Sequence, residues 1–305
     1  MDNFYTLALG SSAAVPTAER ACSSQLVYCN NRLVLIDCGE GTQTQLRRFG
    51  ASIQRINYIL ITHLHGDHFF GLPGLLSTMS LLGRTTGIHL MAPPALLDIL
   101  KTVLRASETR LSFNFEFIAL VPNVKQVIFE DEAMKISAFP LDHRIQTFGF
   151  SIEEKFQRLK INKSAVLKDN LSNEHIKLLS QGKDFQKLDG NWIRVRDYTL
   201  PHPSARKFSY CSDTKQFEKL AEYIESTSTL YHEATFLSDR KERALETFHS
   251  TAEEAAQLAL KIGAKKLLMG HFSSRYTSMQ AHIEEAQQYF PAVQCVEDGT
   301  SYPIL

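Results

Sequence analysis

The chain has 305 residues, of which 44% are hydrophobic and 22% charged, as in an ordinary globular protein with a large buried core. Its 33 basic and 33 acidic residues give a formal net charge of zero. This balance argues against a surface that is cationic throughout, as in some nucleic-acid-binding proteins, but allows local basic patches. The apolar run over residues 4–15 is too short to span a bilayer, so we predict no membrane segment.

Strands and helices alternate along the first half of the chain. Apolar and β-branched runs predict strands over residues 4–9, 24–28, 33–36, 58–62 and 88–92, and helical periodicity predicts helices over 42–48, 75–82 and 94–104. Residues 114–139 are expected to form several antiparallel strands. Interleaved strands and helices of this kind indicate a layered α/β domain.

Residues 154–197 interrupt this pattern. The segment is rich in Lys, Asn, Gln and Asp, with lysines at 160, 163, 168, 177, 183 and 187. Because it keeps amphipathic runs such as residues 176–179, it is either a protruding insertion or a set of solvated helical faces, and the sequence favours neither.

The α/β pattern then resumes to the end of the chain. It predicts strands over residues 207–211, 229–231 and 265–269 and helices over 217–224 and 251–262. In the last helix, Thr251 and Glu254 have the spacing of a capping box. We therefore treat residues 1–305 as one domain with 154–197 inserted into it.

The five cysteines are scattered and form no CxxC pair. They are Cys22, Cys29, Cys38, Cys211 and Cys295. With no recognisable signal peptide, this odd number of dispersed thiols predicts a cytoplasmic protein with reduced cysteines.

A dense cluster of metal-ligand side chains follows the strand predicted over 58–62. It consists of His63, His65, Asp67 and His68. Four such side chains within six positions are costly to bury without a partner, and bound transition-metal ions would provide one. A site with two metal ions that activates water for cleavage of esters or phosphodiesters is the reading we favour.

Single polar residues of the same kind follow other apolar runs. They are Asp37, His143, Asp213 and His271. One such residue alone is more often a capping or hydrogen-bonding group than a ligand. Their repeated occurrence beside one dense cluster favours a shared site on loops that a rigid scaffold holds in place.

The order of these residues resembles the metallo-β-lactamase superfamily of binuclear zinc hydrolases. Three further stretches, at residues 9–17, 232–236 and 271–276, are similar to the short form of the ribonuclease Z family, which comprises tRNA 3′-processing endonucleases, and residues 69–76 also match. The resemblance covers nearly the whole chain. It implies an αββα sandwich of two mixed β-sheets flanked by helices, with residues 154–197 as a protruding arm.

The resemblance also implies how the ligands are divided between two zinc ions. One ion is assigned to His63, His65 and His143, the other to Asp67, His68 and His271, and Asp213 bridges both. Imidazoles and carboxylates suit zinc, although manganese and iron also occupy such sites. Asp37 has no place among the ligands and is expected to orient one of the histidines.

Three residues are expected to handle protons. Asp67 is implied to accept a proton from the metal-bound hydroxide that attacks the phosphodiester, and Glu233 and His249 match the pair that protonates the departing 3′-oxygen. Without the resemblance, His249 would be read as an exposed residue at the start of a helix.

Contacts with the substrate are predicted for three more residues. Ser11 and Ser12 follow a glycine in a turn whose N–H groups suit a phosphate, and Arg275 carries a charge suited to phosphate, although a surface salt bridge is the alternative.

The implied function is removal of the 3′ trailer from precursor tRNA, leaving a 3′-hydroxyl, by a homodimer that needs no nucleotide cofactor. In the family the arm grips the tRNA; here it lacks the Gly-Pro-rich tip that many members carry, and Gly182 and Gly190 mark its nearest glycine turns. A phosphodiesterase that acts on small or cyclic phosphodiesters is the alternative. An RNA-binding module without catalysis is a third possibility, which loss of ligands would mark.

Overall fold

The computed structural model describes residues 3–155, 159–187, 189–200 and 205–305. Its strands are β1 Phe4–Gly10, β2 Ser12–Ala13, β3 Ser24–Cys29, β4 Arg32–Ile36, β5 Ile56–Leu60, β6 Ile88–Ala92, β7 Phe115–Ala119, β8 Gln126–Glu130, β9 Met134–Leu141, β10 Thr147–Glu154, β11 Lys160–Ile161, β12 Phe185–Gln186, β13 Trp192–Ile193, β14 Thr199–Leu200, β15 Lys207–Cys211, β16 Thr229–Glu233, β17 Lys266–Gly270, β18 Phe272–Ser273, β19 Val293–Cys295 and β20 Ser301–Pro303. Its α-helices are α1 Thr42–Arg48, α2 Gly66–Phe69, α3 Leu72–Leu81, α4 Leu96–Ala106, α5 Lys163–Lys168, α6 Asn173–Ser180, α7 Val195–Tyr198, α8 Leu220–Tyr223, α9 Lys241–Thr247, α10 Ala252–Lys261 and α11 Gln280–Gln287. Among the described residues, no helix is long and apolar enough to cross a membrane.

Two seven-stranded mixed sheets form the centre of the molecule. The first sheet has the strand order β20-β1-β3-β4-β5-β6-β7 and the second β19-β17-β16-β15-β10-β9-β8. The run β4-β5-β6-β7 in the first sheet is parallel, as is the run β15-β16-β17-β19 in the second. Parallel neighbours need crossover connections, and the helices in these connections cover the sheets.

Three apolar cores lie between four layers. The inner core contains residues of both sheets, such as Val34 and Leu60 from the first and Phe150 and Tyr210 from the second. A second core joins the first sheet to α1, α3 and α4, and a third joins the second sheet to α8, α10 and α11. The predicted αββα sandwich of two mixed sheets is confirmed.

Most predicted elements are present with small shifts at their ends. The capping box of α10 is formed, since Thr251 Oγ1 accepts a hydrogen bond from the Glu254 N–H at 3.2 Å and Glu254 Oε2 accepts one from the Thr251 N–H at 3.0 Å. The antiparallel prediction for residues 114–139 is wrong for β7, which pairs in parallel with β6 in the first sheet. The helix α4 connects these two strands and returns the chain to run in the same direction.

The segment between β10 and β15 has a small core of its own. Helices α5, α6 and α7 and the ribbons β11–β14 and β12–β13 surround five buried side chains, those of Val166, Leu171, Leu179, Ile193 and Tyr198. The backbone has positive φ angles at Gly182 (76°) and Gly190 (87°), where the two glycine turns were predicted. Its exposed lysines are Lys160, Lys163, Lys168, Lys177 and Lys183.

Candidate metal centre and active site

Ligand-type side chains gather where strands of both sheets end. In the first sheet Asp37 follows β4 and His63 follows β5, and in the second Asp213 follows β15 and His271 follows β17. Asp37, Asp213 and His271 have φ angles between 55° and 59°, a left-handed conformation that is uncommon outside glycine. Strained backbone of this kind is concentrated at functional sites, because the surrounding structure must hold it.

One group of ligand atoms comes from His63, His65, His143 and Asp213, and these atoms lie within 4.8 Å of one another. His65 Nδ1 is 2.9 Å from His63 Nε2 and 3.4 Å from His143 Nε2. Asp213 Oδ2 completes the group at 3.6 Å from His63 Nε2 and 3.8 Å from His143 Nε2. Three imidazole nitrogens and one carboxylate oxygen thus converge on one point.

A second group comprises Asp67, His68 and His271, also with ligand atoms within 4.8 Å of one another. Asp67 Oδ2 lies 3.4 Å from His68 Nε2 and 3.7 Å from His271 Nε2. Asp213 Oδ1, the other oxygen of the shared carboxylate, is 3.2 Å from His68 Nε2 and 3.1 Å from His271 Nε2. Asp213 therefore presents one oxygen to each group.

The second group contains buried nitrogen atoms that make no hydrogen bond. The Nε2 atoms of His68 and His271 are both enclosed and lack such a partner. Because buried polar atoms are nearly always paired, two orphaned nitrogens facing carboxylates indicate that a cation belongs between them. The residues present thus fit a metal ion.

The opposite ring nitrogens of these histidines are held by the protein. His68 Nδ1 is 2.8 Å from Asp37 Oδ2, and His143 Nδ1 is 3.0 Å from the Phe248 carbonyl oxygen. His271 Nδ1 is 3.0 Å from Thr235 Oγ1. Such contacts fix the ring orientation and leave Nε2 for a ligand bond.

The carboxylates at the centre make the site favourable for a cation. Burial by itself would raise the pKa of the Asp213 carboxyl, but the surrounding imidazoles hold it well below its usual range. Burial lowers the pKa of His63 well below its usual value. His68 shows the opposite result: burial disfavours its charge, but Asp213, Asp67 and Asp37 together raise its pKa well above the usual value. Ionised carboxylates around a buried imidazole attract a cation, whether a proton or a metal ion.

Glu233 and His249 form a hydrogen-bonded pair beside the metal centre. Glu233 is fully buried, and its Oε1 is 2.9 Å from His249 Nδ1. The carboxylate also accepts hydrogen bonds from the N–H groups of Thr214, at 2.6 Å, and Ser250, at 3.1 Å. Burial alone would lower the pKa of His249, but the charge and hydrogen bond of Glu233 raise it to about 9. The ring of His249 is therefore protonated near neutral pH.

An open cavity of about 710 Å³ gives access to the centre. Its walls include six of the predicted metal-ligand and proton-transfer residues, namely His65, Asp67, His143, Asp213, His249 and His271. Exposed Val15 and Phe70 and three arginines, Arg144, Arg243 and Arg275, also line it. His63, His68 and Glu233 are fully buried. A cavity of this size that combines cationic and apolar walls suits part of an RNA strand.

The predicted substrate contacts fall in two classes. Arg275 lines the cavity, with its guanidinium 5.1 Å from the centre of the Phe236 ring and its Nε donating to Ser273 Oγ at 3.0 Å. Ser11 and Ser12 are fully buried instead. Their hydroxyls donate to Asp298 Oδ1 and to the Val15 carbonyl, both at 2.7 Å. This placement argues against phosphate contacts by either hydroxyl, since both are engaged in hydrogen bonds within the protein.

The loop that contains Ser11 and Ser12, between β1 and β3, contributes a different interaction, which the sequence did not indicate. The Ala14 N–H donates to Asp67 Oδ2 at 2.8 Å, from a residue with a φ of 62°. Thr235, Phe248 and Asp298 were also missed as supporting residues. For Asp298 the sequence contains no local signal, since this residue is 287 positions from Ser11.

Comparisons with known proteins agree with this arrangement. The family model of the beta-lactamase superfamily domain matches residues 148–272, and that of the anti-Pycsar protein Apyc1 matches residues 4–159. A ribonuclease Z from Porphyromonas gingivalis is 40% identical over 290 residues, which cover 95% of each chain. One from Cytophaga hutchinsonii is 42% identical over 98% of this chain and 96% of its own. The crystal structure of human tRNase Z, short form, matches 99% of both chains with a TM-score of 0.73 and 29% identity.

Proposed function

Because this chain belongs to the ribonuclease Z family of the metallo-β-lactamase superfamily, we propose that it is an endoribonuclease that removes the 3′ trailer from precursor tRNA. It cuts after the discriminator nucleotide and leaves a 3′-hydroxyl on the tRNA. The observation that carries this proposal is the shared Asp213 carboxylate, whose two oxygens face two separate groups of ligand atoms. The Glu233–His249 pair lies next to it, as protonation of a leaving group requires.

Two zinc ions per chain are part of the proposal. The first would be held by His63, His65 and His143, the second by Asp67, His68 and His271, with Asp213 between them. Imidazole and carboxylate donors suit zinc, and the unpaired Nε2 atoms of His68 and His271 support a cation at the second position. When bound, the ions lower the pKa of a water molecule and stabilise charge on the phosphodiester.

Asp67 and His249 handle protons at opposite steps of the reaction. Asp67 Oδ2 is held by the Ala14 N–H and lines the cavity, where it can accept a proton from the attacking water. His249 donates a proton from Nε2 to the departing 3′-oxygen, because its Nδ1 is engaged by Glu233. The charge of Glu233 keeps the imidazole protonated until that transfer.

Residues 154–197 are proposed as the arm that grips the tRNA outside the active site, within a homodimer. The exposed lysines of the segment would follow the RNA backbone electrostatically. Lys187 is an exception, since its Nζ donates to the Asp169 carbonyl at 3.3 Å. A cytoplasmic location stays a prediction, which the five buried, unpaired thiols support.

Product mapping on a precursor tRNA tests the function. Wild type should release the trailer with a cut directly after the discriminator nucleotide, and a chelator should abolish the cut. Asp67→Ala should bind the precursor without cutting it. If wild type and Asp67→Ala both bind the precursor and neither cuts it, the protein is an RNA-binding module without catalysis. Bis-p-nitrophenyl phosphate is assayed in parallel. Hydrolysis of this ester with an intact precursor would favour the alternative, a phosphodiesterase for small substrates.

A further inference from the structure

The cavity mouth carries a large aromatic side chain that the mechanism above does not use. Phe70 lies directly after α2, three positions beyond Asp67, and is 65% exposed although it lines the cavity. Its neighbour Phe69 is 5% exposed and packs in the core beneath the first sheet. An aromatic ring left in water beside a catalytic centre is costly, so a ligand that covers it gains binding free energy.

The ring of Phe70 is held in place by its surroundings. A β-carbon at Gly66 would lie 2.3 Å from Cε2 of this ring, so the ring packs directly on the glycine backbone. The rings of Phe69 and Phe70 meet at 4.9 Å between centroids, with an interplanar angle of 64°. The Phe70 ring thus packs on Gly66 and Phe69 and remains largely exposed to solvent, so it can stack on a flat ligand. We refer to this ring as the platform.

A second exposed apolar residue lines the same cavity as the platform. Val15 is 51% exposed, lines the same cavity, and follows Ala14, whose N–H is bonded to Asp67. Phe70 and Val15 thus come from two different parts of the chain, and both line the cavity together with Asp67. His249 comes from a different part of the chain, and its ring lies 5.1 Å from that of His143 and 5.4 Å from that of His271.

We propose that Phe70 is a substrate-binding residue that stacks on the base of the first trailer nucleotide, the one on the 3′ side of the cut. This inference rests on the proposed function. Because His249 protonates the oxygen that stays with the tRNA body, we assign the trailer to the part of the cavity that carries Asp67 and Phe70. Every base has a π face, and stacking therefore accepts trailers of any sequence while it requires that a base be present.

The test uses the full-length enzyme and three precursors: one intact, one abasic at the first trailer nucleotide and one abasic at the discriminator. For the intact precursor, Phe70→Leu should lower kcat/KM by roughly five- to hundredfold, and Phe70→Tyr should keep it near wild type. The abasic trailer should lower wild-type kcat/KM to a similar extent and Phe70→Leu no further. The abasic discriminator should affect both proteins equally.

Leu260→Ala provides a matched control, since Leu260 is 60% exposed on α10, away from the cavity. Metal content and the unfolding midpoint should be unchanged in Phe70→Leu. Equal cleavage of the intact precursor by wild type and Phe70→Leu would overturn the stacking role alone, as would equal losses of both proteins on the abasic trailer. A wild type that cuts none of the precursors would refute the proposed function and this role with it.

Discussion

At the candidate metal centre most charged side chains are buried and held by partners. In the described part of the insertion between β10 and β15, residues 159–200, most charged side chains face solvent around a small apolar core. Asp37 and His68 are fully enclosed and bonded to each other. Lys177 and Lys183 are exposed on and beside α6. The first arrangement suits chemistry, because fixed charges act strongly where water is excluded, and the second suits reversible contact with a polyanion. Substitutions in the two regions should therefore change different kinetic quantities.

Asp213→Asn should have the largest effect, because it removes the carboxylate shared by both ligand groups. We expect kcat on precursor tRNA to fall roughly thousandfold, since a buried charge cluster loses its central partner. Metal analysis should show fewer ions per chain. Asp239→Asn changes an exposed carboxylate and is the control. If the Asp213→Asn variant retains both its metal content and its cleavage rate, Asp213 is not a shared metal ligand.

His249→Ala tests the acid that we assign to the leaving oxygen. The rate should fall by about a hundredfold or more, the usual contribution of a general acid.

Glu233→Gln should act through the pH profile instead. Without the glutamate charge the pKa of His249 falls below its value of about 9, so the proton is lost at lower pH. The alkaline limb of kcat should move to lower pH, and an unmoved limb would contradict the pairing.

Asp37→Asn should weaken metal binding without abolishing it. Asn tolerates the left-handed backbone found at this position and keeps a polar contact to His68, but it loses the charge. Supporting residues of this kind typically contribute 10- to 100-fold in metal affinity. Competition with a chelator of known affinity measures the metal affinity of the variant and of wild type. Unchanged affinity would mean that Asp37 only shapes the turn after β4.

The smallest effects are expected in the segment 159–200. Replacement of Lys177 and Lys183 by Ala should weaken tRNA binding a few-fold and reduce the slope of log affinity against log salt by roughly two, one per lost phosphate contact. The value of kcat should stay near wild type. Lys261→Ala, which changes an exposed lysine at the end of α10, is the control. A fall in kcat with an unchanged salt slope would contradict the division between the two regions.

Local spacing explains what could be read from the sequence. His63, His65, Asp67 and His68 lie within six positions, so the cluster was visible without a fold. His143 and Asp213 each stand alone after an apolar run, which made them candidates for the site, but their division between two ions needed the resemblance to a family. The hydrogen bond of the Ser11 hydroxyl to Asp298 could not be read from the sequence, because Asp298 comes from the other end of the chain. The parallel pairing of β7 depends likewise on a crossover that local periodicity does not reveal.

The most direct measurement of the central claim is a zinc titration of the metal-free enzyme, with bound ions counted by native mass spectrometry and precursor tRNA cleavage followed in the same samples. Cleavage should rise with occupancy and reach its plateau at two ions per chain. Full cleavage by the metal-free enzyme, or a protein that binds no zinc at this cluster, would contradict the account.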